Sequence, residues 1–353
     1  MYRKLARDEV FDRELSPTWP RMGLSTESDV PIMVIVEASP KKYRVYFRNT
    51  ERHRASYRCQ TIASFVEHVV LTDPAADPAR YVGEYRFEPH DTIDDGPRDE
   101  PTLCFARDIR RESGAKTKNC VLFPDVYQLC GYRGQFDMYV DDVPWADKAP
   151  VVLFAGTTTG PEDPAKNRRV QAALWARGRE SSGLILKLSS VRQMTPESLE
   201  GYLRTKGATL GDVLCGFVEP SEHKRVRYVL NIEGNTCCWS RLPMVLRSGS
   251  LLINLQHGDG TWYYPVLEAG KHYVEAADVA DIEARRSWCE AHPKECADIV
   301  GNGNRFFDEY CTQAAATRYI VELLEAIADY RCRSKSDSVE VKEETRRQTL
   351  RLL

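Results

Sequence analysis

The sequence predicts an α/β protein of two domains with a helical C-terminal end. Three observations carry that expectation. A length of 353 residues exceeds a usual single core. Strand and helix patterns alternate from Val151 onward. The last third of the chain turns helical, with a clean amphipathic run from Thr317 to Tyr330.

In the first half, Ile32 to Glu37 is β-rich and Tyr43 to Phe47 alternates bulky and charged residues, so both read as strands joined by a turn around Ser39-Pro40. Ile62 to Leu71 reads as a helix. From Asp73 to Pro101, Asp, Pro and Gly dominate without periodicity, which predicts a long surface loop. Thr102 to Ile109 and Cys120 to Phe123 are the next strands. The second runs into Pro124-Asp125 and places a carboxylate at a strand's carboxyl end, the edge that faces the ligand crevice in open α/β sheets. Asp125 is therefore either a chemical group or a turn residue capping backbone amides. An acidic stretch from Gln135 to Lys148, containing Asp137, Asp141, Asp142, Pro144 and Asp147, separates this half from the next. The domains are accordingly set at 1–148 and 149–330, with a charged helix or tail over 331–353.

Val151 to Phe154 opens the second domain as a strand, followed by a helix around Arg168 to Arg177 and a strand from Gly183 to Leu188. Thr195 as N-cap with Pro196 at the first helical position starts another helix. Arg225 to Ile232, Ser250 to Leu255 and Lys271 to Glu275 read as strands, and Arg241 to Arg247 as a helix. Alternation of this kind predicts a parallel sheet with helices on both faces. Asp278 then caps a helix reaching Trp288.

Composition narrows the function classes. With 42% hydrophobic and 29% charged residues the chain is ordinary globular protein, not a fibrous or wholly disordered one. A formal net charge of −3 offers no basic excess, so no nucleic-acid partner is expected. Met1 to Arg21 mixes charges with prolines, unlike a secretory signal, and no segment reaches the roughly 18 uninterrupted apolar residues of a membrane span. The 11 cysteines lack regular spacing and suit reduced thiols better than a disulfide framework. These features predict a cytoplasmic protein.

Three constellations could carry chemistry. The strand ending Phe154-Ala155-Gly156-Thr157-Thr158-Thr159-Gly160, with Arg168 and Arg169 shortly after, combines backbone amides, hydroxyls and guanidinium groups suited to a diphosphate. It lacks the Lys of a phosphate-binding Walker loop, and a Gly/Thr turn is also common for purely structural reasons. Next, Glu233-Gly234-Asn235 ends a strand, and Ser240-Arg241 opens a helix where a guanidinium can grip phosphate oxygens. Ser240 as a plain N-cap and Arg241 as a solvated first-turn residue is the simpler alternative. Finally, Trp262, Tyr263 and Tyr264 and then His272-Tyr273 could stack on a base or sugar, or could equally be packing residues. Cys289, His292 and Cys296 lack the fourth ligand of a structural zinc, and no metal site is expected.

In combination and order these segments resemble glycosyltransferase family 90, which includes capsule xylosyltransferases, protein O-glucosyltransferases and lipopolysaccharide-core glycosyltransferases. Pro124-Asp125, Pro144-Trp145 with Lys148, Phe154-Ala155-Gly156-Thr157, Glu233-Gly234-Asn235, Ser240-Arg241, Trp262-Tyr263-Tyr264 and His272-Tyr273-Val274 carry the resemblance, over about Thr102 to Tyr330. Ala155 stands where that family usually has arginine, and Glu233 where it has aspartate. The resemblance implies a fold of the glycosyltransferase B type, with two Rossmann-like domains facing across a cleft. It implies inverting transfer of a sugar, xylose or glucose, from a UDP-sugar to a hydroxyl of a glycan or glycoprotein acceptor, with no obligatory metal or other cofactor.

An inverting transfer needs a base for the acceptor hydroxyl and a cationic site for the departing nucleotide. Asp125 is assigned as the base, with Asp137, Asp141 and Asp142 as runners-up. Gly156, Thr157, Thr158, Arg168, Gly234, Asn235, Ser240 and Arg241 are assigned to the donor and its phosphates. Trp262, Tyr263, His272 and Tyr273 are further possible contacts to donor or acceptor. With the base in the first domain, catalysis is expected to depend on closure about the segment Pro144 to Pro150. The alternatives are a catalytically inactive sugar- or nucleotide-binding relative and an ATP-dependent α/β enzyme such as a kinase.

Overall fold

A computed structural model describes residues 32–38, 43–48, 57–72, 78–88, 102–108, 120–132, 140–255 and 258–336. Ser39-Pro40, Asp137 and the part of the tail beyond Ser336 lie outside the described residues. The described chain falls into two compact units, one within Met1–Phe105, Ser113–Cys130 and Ala316–Leu353, the other within Ala106–Glu112 and Gly131–Ala315. The acidic stretch at 140–148 thus groups with the second unit, a different division from 148/149.

The first unit begins with β1 (Ile32–Ala38) paired antiparallel to β2 (Tyr43–Arg48), followed by helix α1 (Tyr57–Thr72). In α1, Ile62, Phe65, Val66, Val69 and Val70 are buried, the one-face spacing of an amphipathic helix. The loop expected over 73–101 is interrupted. Pro78–Tyr81 forms a 3₁₀ turn and Gly83–Glu88 forms β3. Buried Tyr85 and Phe87 alternate there with charged Glu84, Arg86 and Glu88, a half-buried strand too short to stand out among its Asp- and Pro-rich flanks.

The single strand expected over 102–109 is two. Its first part, β4 (Thr102–Cys104), joins the first sheet, and β5 (Arg107–Asp108) lies in the second unit. β6 (Cys120–Leu122) and the short helix α2 (Val126–Leu129) complete this part of the chain. The sheet order is β2-β1-β3-β4-β6, antiparallel from β2 to β3 and parallel from β3 to β6.

The second unit contains β7 (Ala149–Gly156), α3 (Arg168–Ala176), β8 (Leu184–Leu188), α4 (Pro196–Thr205), α5 (Leu210–Val213) and β9 (Val226–Asn231). These are followed by α6 (Arg241–Arg247), β10 (Leu251–Leu255), β11 (Asp259–Gly260), β12 (Val274–Ala276), α7 (Asp281–Ala291) and α8 (Pro293–Phe306). A π-helical turn at Phe307–Cys311 leads to α9 (Gln313–Ser336), whose residues from Ala316 onward belong to the first unit. There the Tyr319 hydroxyl donates to the Leu122 carbonyl at 2.8 Å.

The main sheet runs β12-β10-β9-β7-β8 and is parallel throughout. Its two faces are covered by different helices, as the alternation predicted. Val152, Phe154, Tyr228, Leu230, Ile232, Leu251 and Ile253 pack with Ala172, Ala176, Ile282, Cys289 and Ile299 from α3, α7 and α8. On the other face Leu153, Val229 and Leu252 meet Leu242, Val245 and Leu246 of α6. Thr195 caps α4 by accepting from the Ser198 amide at 3.1 Å, as expected. The last strand starts at Val274 instead of Lys271, because Ala269 to Tyr273 forms a turn closed by the Gly270 amide on the Tyr273 carbonyl at 2.8 Å.

Lys148 shows what holds the start of β7. Its ammonium is buried and donates to the carbonyls of Lys224 at 2.6 Å and Ser248 at 3.1 Å, and lies 3.3 Å from Asp141. Burial pushes its pKa down, with Asp141 opposing. Lys148→Met is expected to orphan these acceptors and to cost on the order of 3 kcal/mol in urea denaturation.

Candidate functional site

In strand rank within the second unit, the sheet reads 2-1-3-4-5 from β8 to β12, so the chain reverses direction between β7 and β9. Crevices at such a reversal, outside the strands' carboxyl ends, are where open α/β sheets bind ligands. The segments that leave those two ends are Thr157 to Gly160 and Glu233 to Ser240.

Two guanidinium groups meet there. Arg169, near the start of α3, is buried; its Nε and Nη2 donate to the Ile232 carbonyl at 3.1 and 2.9 Å, and its Nη1 donates to the Thr157 carbonyl at 3.0 Å and to the Thr159 hydroxyl. It thereby ties the carboxyl end of β7 to that of β9. Arg241, the first residue of α6, donates through Nη2 to the Ala155 carbonyl at 2.5 Å and lies over the Phe154 ring at 4.7 Å. Its Nη1 is buried without a hydrogen-bond partner. Burial first, and the Arg241 cation next, push the Arg169 pKa down, so the pair is a desolvated positive site that favours an anion.

The glycines are there for space. A Cβ on Gly156 would stand 2.9 Å from the Phe154 ring and 3.0 Å from Arg241 Nη2, and one on Gly234 would stand 2.8 Å from the Thr159 hydroxyl and 3.1 Å from Arg169 Nη2. Asn167 caps α3 through the amides of Arg169 and Val170 at 3.1 and 3.2 Å, and its own amide donates to the Thr158 carbonyl at 2.8 Å.

Beside the arginines sits Glu233, only 4% exposed. Its Oε1 accepts from Asn231 at 2.9 Å and from the Tyr264 hydroxyl at 3.3 Å, and its Oε2 is buried without a partner. Burial pushes its pKa up to about 7, against the pull of the Asn231 bond, Arg169, the Tyr264 bond and Arg241.

Other sequence-derived residues fall elsewhere or are occupied. Thr158 is buried, and its hydroxyl donates to the Arg192 carbonyl at 2.6 Å and accepts from the Arg192 amide at 2.7 Å. Thr157 remains beside Thr159, their hydroxyls 3.3 Å apart. Arg168 is half-buried one residue before Arg169, and Asn235 lies in the irregular segment after β9. Ser240 makes no side-chain cap on α6, unlike the plain N-cap alternative. Tyr263 and Tyr273 are buried in the apolar cluster against α6, with Trp262 packed at its edge. His272 accepts at Nδ1 from the Glu268 amide at 2.9 Å, a turn-stabilising bond, and its ring lies 4.8 Å from Phe306.

Asp125 belongs to the first unit. It is fully buried and caps α2, with Oδ1 accepting from the Tyr127 and Gln128 amides at 2.8 and 3.2 Å. Its Oδ2 is buried without a partner, and burial raises its pKa to about 7. Asp141 is paired to Lys148, and Asp142 to Lys224 at 2.6 Å, a bond that pulls the Asp142 pKa down. Among the described residues, no three His, Cys, Asp or Glu side chains converge as a metal site.

Of the two neighbouring arginines in the phosphate-suited segment, the sequence assigns Arg168 to the donor, but it is Arg169 that is buried at the strand ends. Helical phase distinguishes them: Arg169, Ala172, Ala173 and Ala176 share the i, i+3, i+4, i+7 face that packs on the sheet, and all four are buried. Arg169→Met is expected to destabilise the fold by on the order of 3 kcal/mol in chemical denaturation, through the orphaned Ile232 and Thr157 carbonyls.

Comparison with known proteins places the chain. Residues 140–351 match Glycosyl transferase family 90, a span that begins just before Pro144-Trp145 and excludes Asp125. Uncharacterized protein 035R of Invertebrate iridescent virus 3 is 22% identical over 201 residues, covering 52% of this chain and 17% of that protein. Uncharacterized protein 027R of Frog virus 3 (isolate Goorha) is 25% identical over 177 residues, covering 46% of this chain and 18% of that protein. The matches with these curated relatives thus span less than a fifth of their length.

Among solved structures, Anabaena HepE in complex with UDP-glucose is 12% identical with a TM-score of 0.42, covering 64% of this chain and 63% of that one. The C-terminal domain of the group 1 glycosyl transferase LpcC from Francisella tularensis is 13% identical with a TM-score of 0.35, covering 50% of this chain and 97% of that one. The family match, which takes in more than half of the residues and all of the crevice at β7 and β9, shows that the chain belongs to glycosyl transferase family 90.

Proposed function

We propose that the protein transfers a sugar from a UDP-sugar, with inversion, to a hydroxyl of a glycan or glycoprotein acceptor. The observation that carries this reading is the Arg169–Arg241 pair at the sheet's reversal point, with Arg241 Nη1 buried and unpartnered. A diphosphate supplies the acceptor oxygens that this cation lacks, and it gains negative charge as the glycosidic bond breaks. Preorganised guanidinium groups stabilise that developing charge without reorganising. They also supply cationic charge of the kind a metal provides in other phosphate sites, so a metal requirement is not part of the proposal.

Asp125 Oδ2 is the proposed base for the acceptor hydroxyl. Its raised pKa suits proton transfer near neutrality better than that of Asp142, which is held down by its lysine. Cys215, Cys238, Cys289 and Cys296 are free thiols, in keeping with a proposed cytoplasmic location, and no helix among the described residues is long and apolar enough to cross a membrane.

The test is a panel of UDP-sugars measured for binding and for slow hydrolysis. UDP-glucose or UDP-xylose is expected to bind and to be hydrolysed to UDP. Binding without hydrolysis or transfer would favour a non-catalytic relative, and failure of every UDP-sugar to bind would overturn the reading.

A further inference from the structure

Two orphaned groups of opposite kind lie near the carboxyl ends of β7 and β9. Arg241 Nη1 is a buried donor without an acceptor, and Glu233 Oε2 is a buried carboxyl oxygen without a donor. Both guanidinium groups act on Glu233 through space, yet neither forms an ion pair or a hydrogen bond with it. The groups that face this carboxyl are Asn231 from β9, Tyr264 from the turn after β11, Arg169 from α3 and Arg241 from α6. Cys237 and Cys238 adjoin Tyr264 from the segment between β9 and α6, and Asn254 of β10 holds Asn231 at 2.8 Å.

An ionised carboxylate here would repel the diphosphate that the arginines attract. A neutral carboxylic acid would do the opposite, since its remaining oxygen carries a hydrogen to donate. Asn231 and Tyr264 both donate to Oε1, which leaves Oε2 as the oxygen to carry that hydrogen.

Resting on the donor-site reading above, we propose that Glu233 contacts the donor as a neutral acid. Oε2–H donates to a diphosphate oxygen beside the bond from Arg241 Nη1, and donor binding takes up one proton from solvent. The acid is poised for this in the empty protein, because burial already places its titration near neutrality. Bound diphosphate cancels the pull of the arginines and shifts the acid further toward its protonated form.

The experiment is calorimetric titration of the full chain with UDP-glucose from about pH 6 to about pH 8.5, in buffers of differing ionisation heat. UDP-glucose serves because its disubstituted diphosphate stays doubly ionised across that range. Affinity is expected to fall about tenfold per pH unit above the titration of the empty site, with uptake approaching one proton. Glu233→Gln keeps an acceptor for Asn231 and Tyr264 and a donor at the second position. It is expected to bind with pH-independent affinity, about 30-fold tighter than the parent near pH 8.5.

Tyr264→Phe removes one bond to the carboxylate and is expected to move the fall in affinity to higher pH, which tests the proposal independently should Glu233→Gln fold poorly. PH-independent binding by the parent, without proton uptake, would overturn the proposal while leaving the donor site standing. Weaker binding by Glu233→Gln would do the same, since it would mean that an ionised Glu233 accepts from a donor hydroxyl. Absence of binding at every pH would overturn the donor-site reading and this inference with it.

Discussion

Arg241→Ala is expected to weaken UDP-sugar binding about 100-fold while leaving the fold intact. The loss follows from two changes at one position. The substitution removes a charge-assisted pair to phosphate worth about 1.5–3 kcal/mol, and it leaves Arg169 alone to balance a diphosphate. Stability should change little, because the guanidinium surrenders only its bond to the Ala155 carbonyl and its stacking on Phe154, against the cost of keeping Nη1 buried and unpaired. Arg241→Lys is expected to recover only part of the affinity, since an ammonium lacks the planar fork that reaches a phosphate and the Ala155 carbonyl together. Fluorescence or calorimetric titration with UDP-glucose reads both effects, and thermal unfolding supplies the fold control.

Asp125→Asn is expected to lower the rate of sugar transfer by about 10²–10⁴-fold, the usual contribution of a positioned base, with donor affinity unchanged. The substitution is close to neutral for the local backbone: asparagine is a good N-cap, and its oxygen can keep both amide bonds of Tyr127 and Gln128. Stability offers a second readout. In the folded chain burial raises the Asp125 pKa from 3.8 to about 7, so the fold favours the protonated acid. That contribution is complete below the unfolded value and is lost as pH rises through the window to about 7, at up to about 1.4 kcal/mol per pH unit. Asparagine does not titrate. The variant should therefore match the parent near pH 4 and be the more stable protein above pH 7, even as transfer fails. A fully active Asp125→Asn enzyme would remove Asp125 from the mechanism.

Much of the second unit was legible in the sequence because its helices and strands follow strict periods. Thr195-Pro196 and the run from Arg241 to Arg247 were read at their observed positions, and the alternation of strand and helix gave the parallel sheet. β3 was missed because two buried aromatics over six residues are a weak signal beside the Asp- and Pro-rich segments around them. Helix α8 falls in the third of the chain expected to turn helical, but its bounds carry no clear local signal: Gly301 and Gly303 lower its propensity, although Gly303 is there to let Leu246 and the His272 carbonyl approach, at 3.1 and 3.2 Å from a Cβ placed on it.

Within the site, Gly156, Gly234 and Arg241 are where the sequence suggested. Arg169 could have been found by asking which of two neighbouring arginines shares a face with Ala172, Ala173 and Ala176. Glu233 was visible only as a departure from the family's aspartate. Its unpartnered oxygen depends on how Asn231 and Tyr264 approach from separate elements, which no local pattern encodes.

The cation pair at the carboxyl ends of β7 and β9 is proposed to hold the donor's diphosphate. A crystal structure of the protein with UDP-glucose tests it most directly. Phosphate oxygens are expected within hydrogen-bonding distance of Arg241 Nη1 and over the segment from Gly156 to Thr159. A nucleotide bound elsewhere, with Arg241 Nη1 still unpartnered, would contradict it.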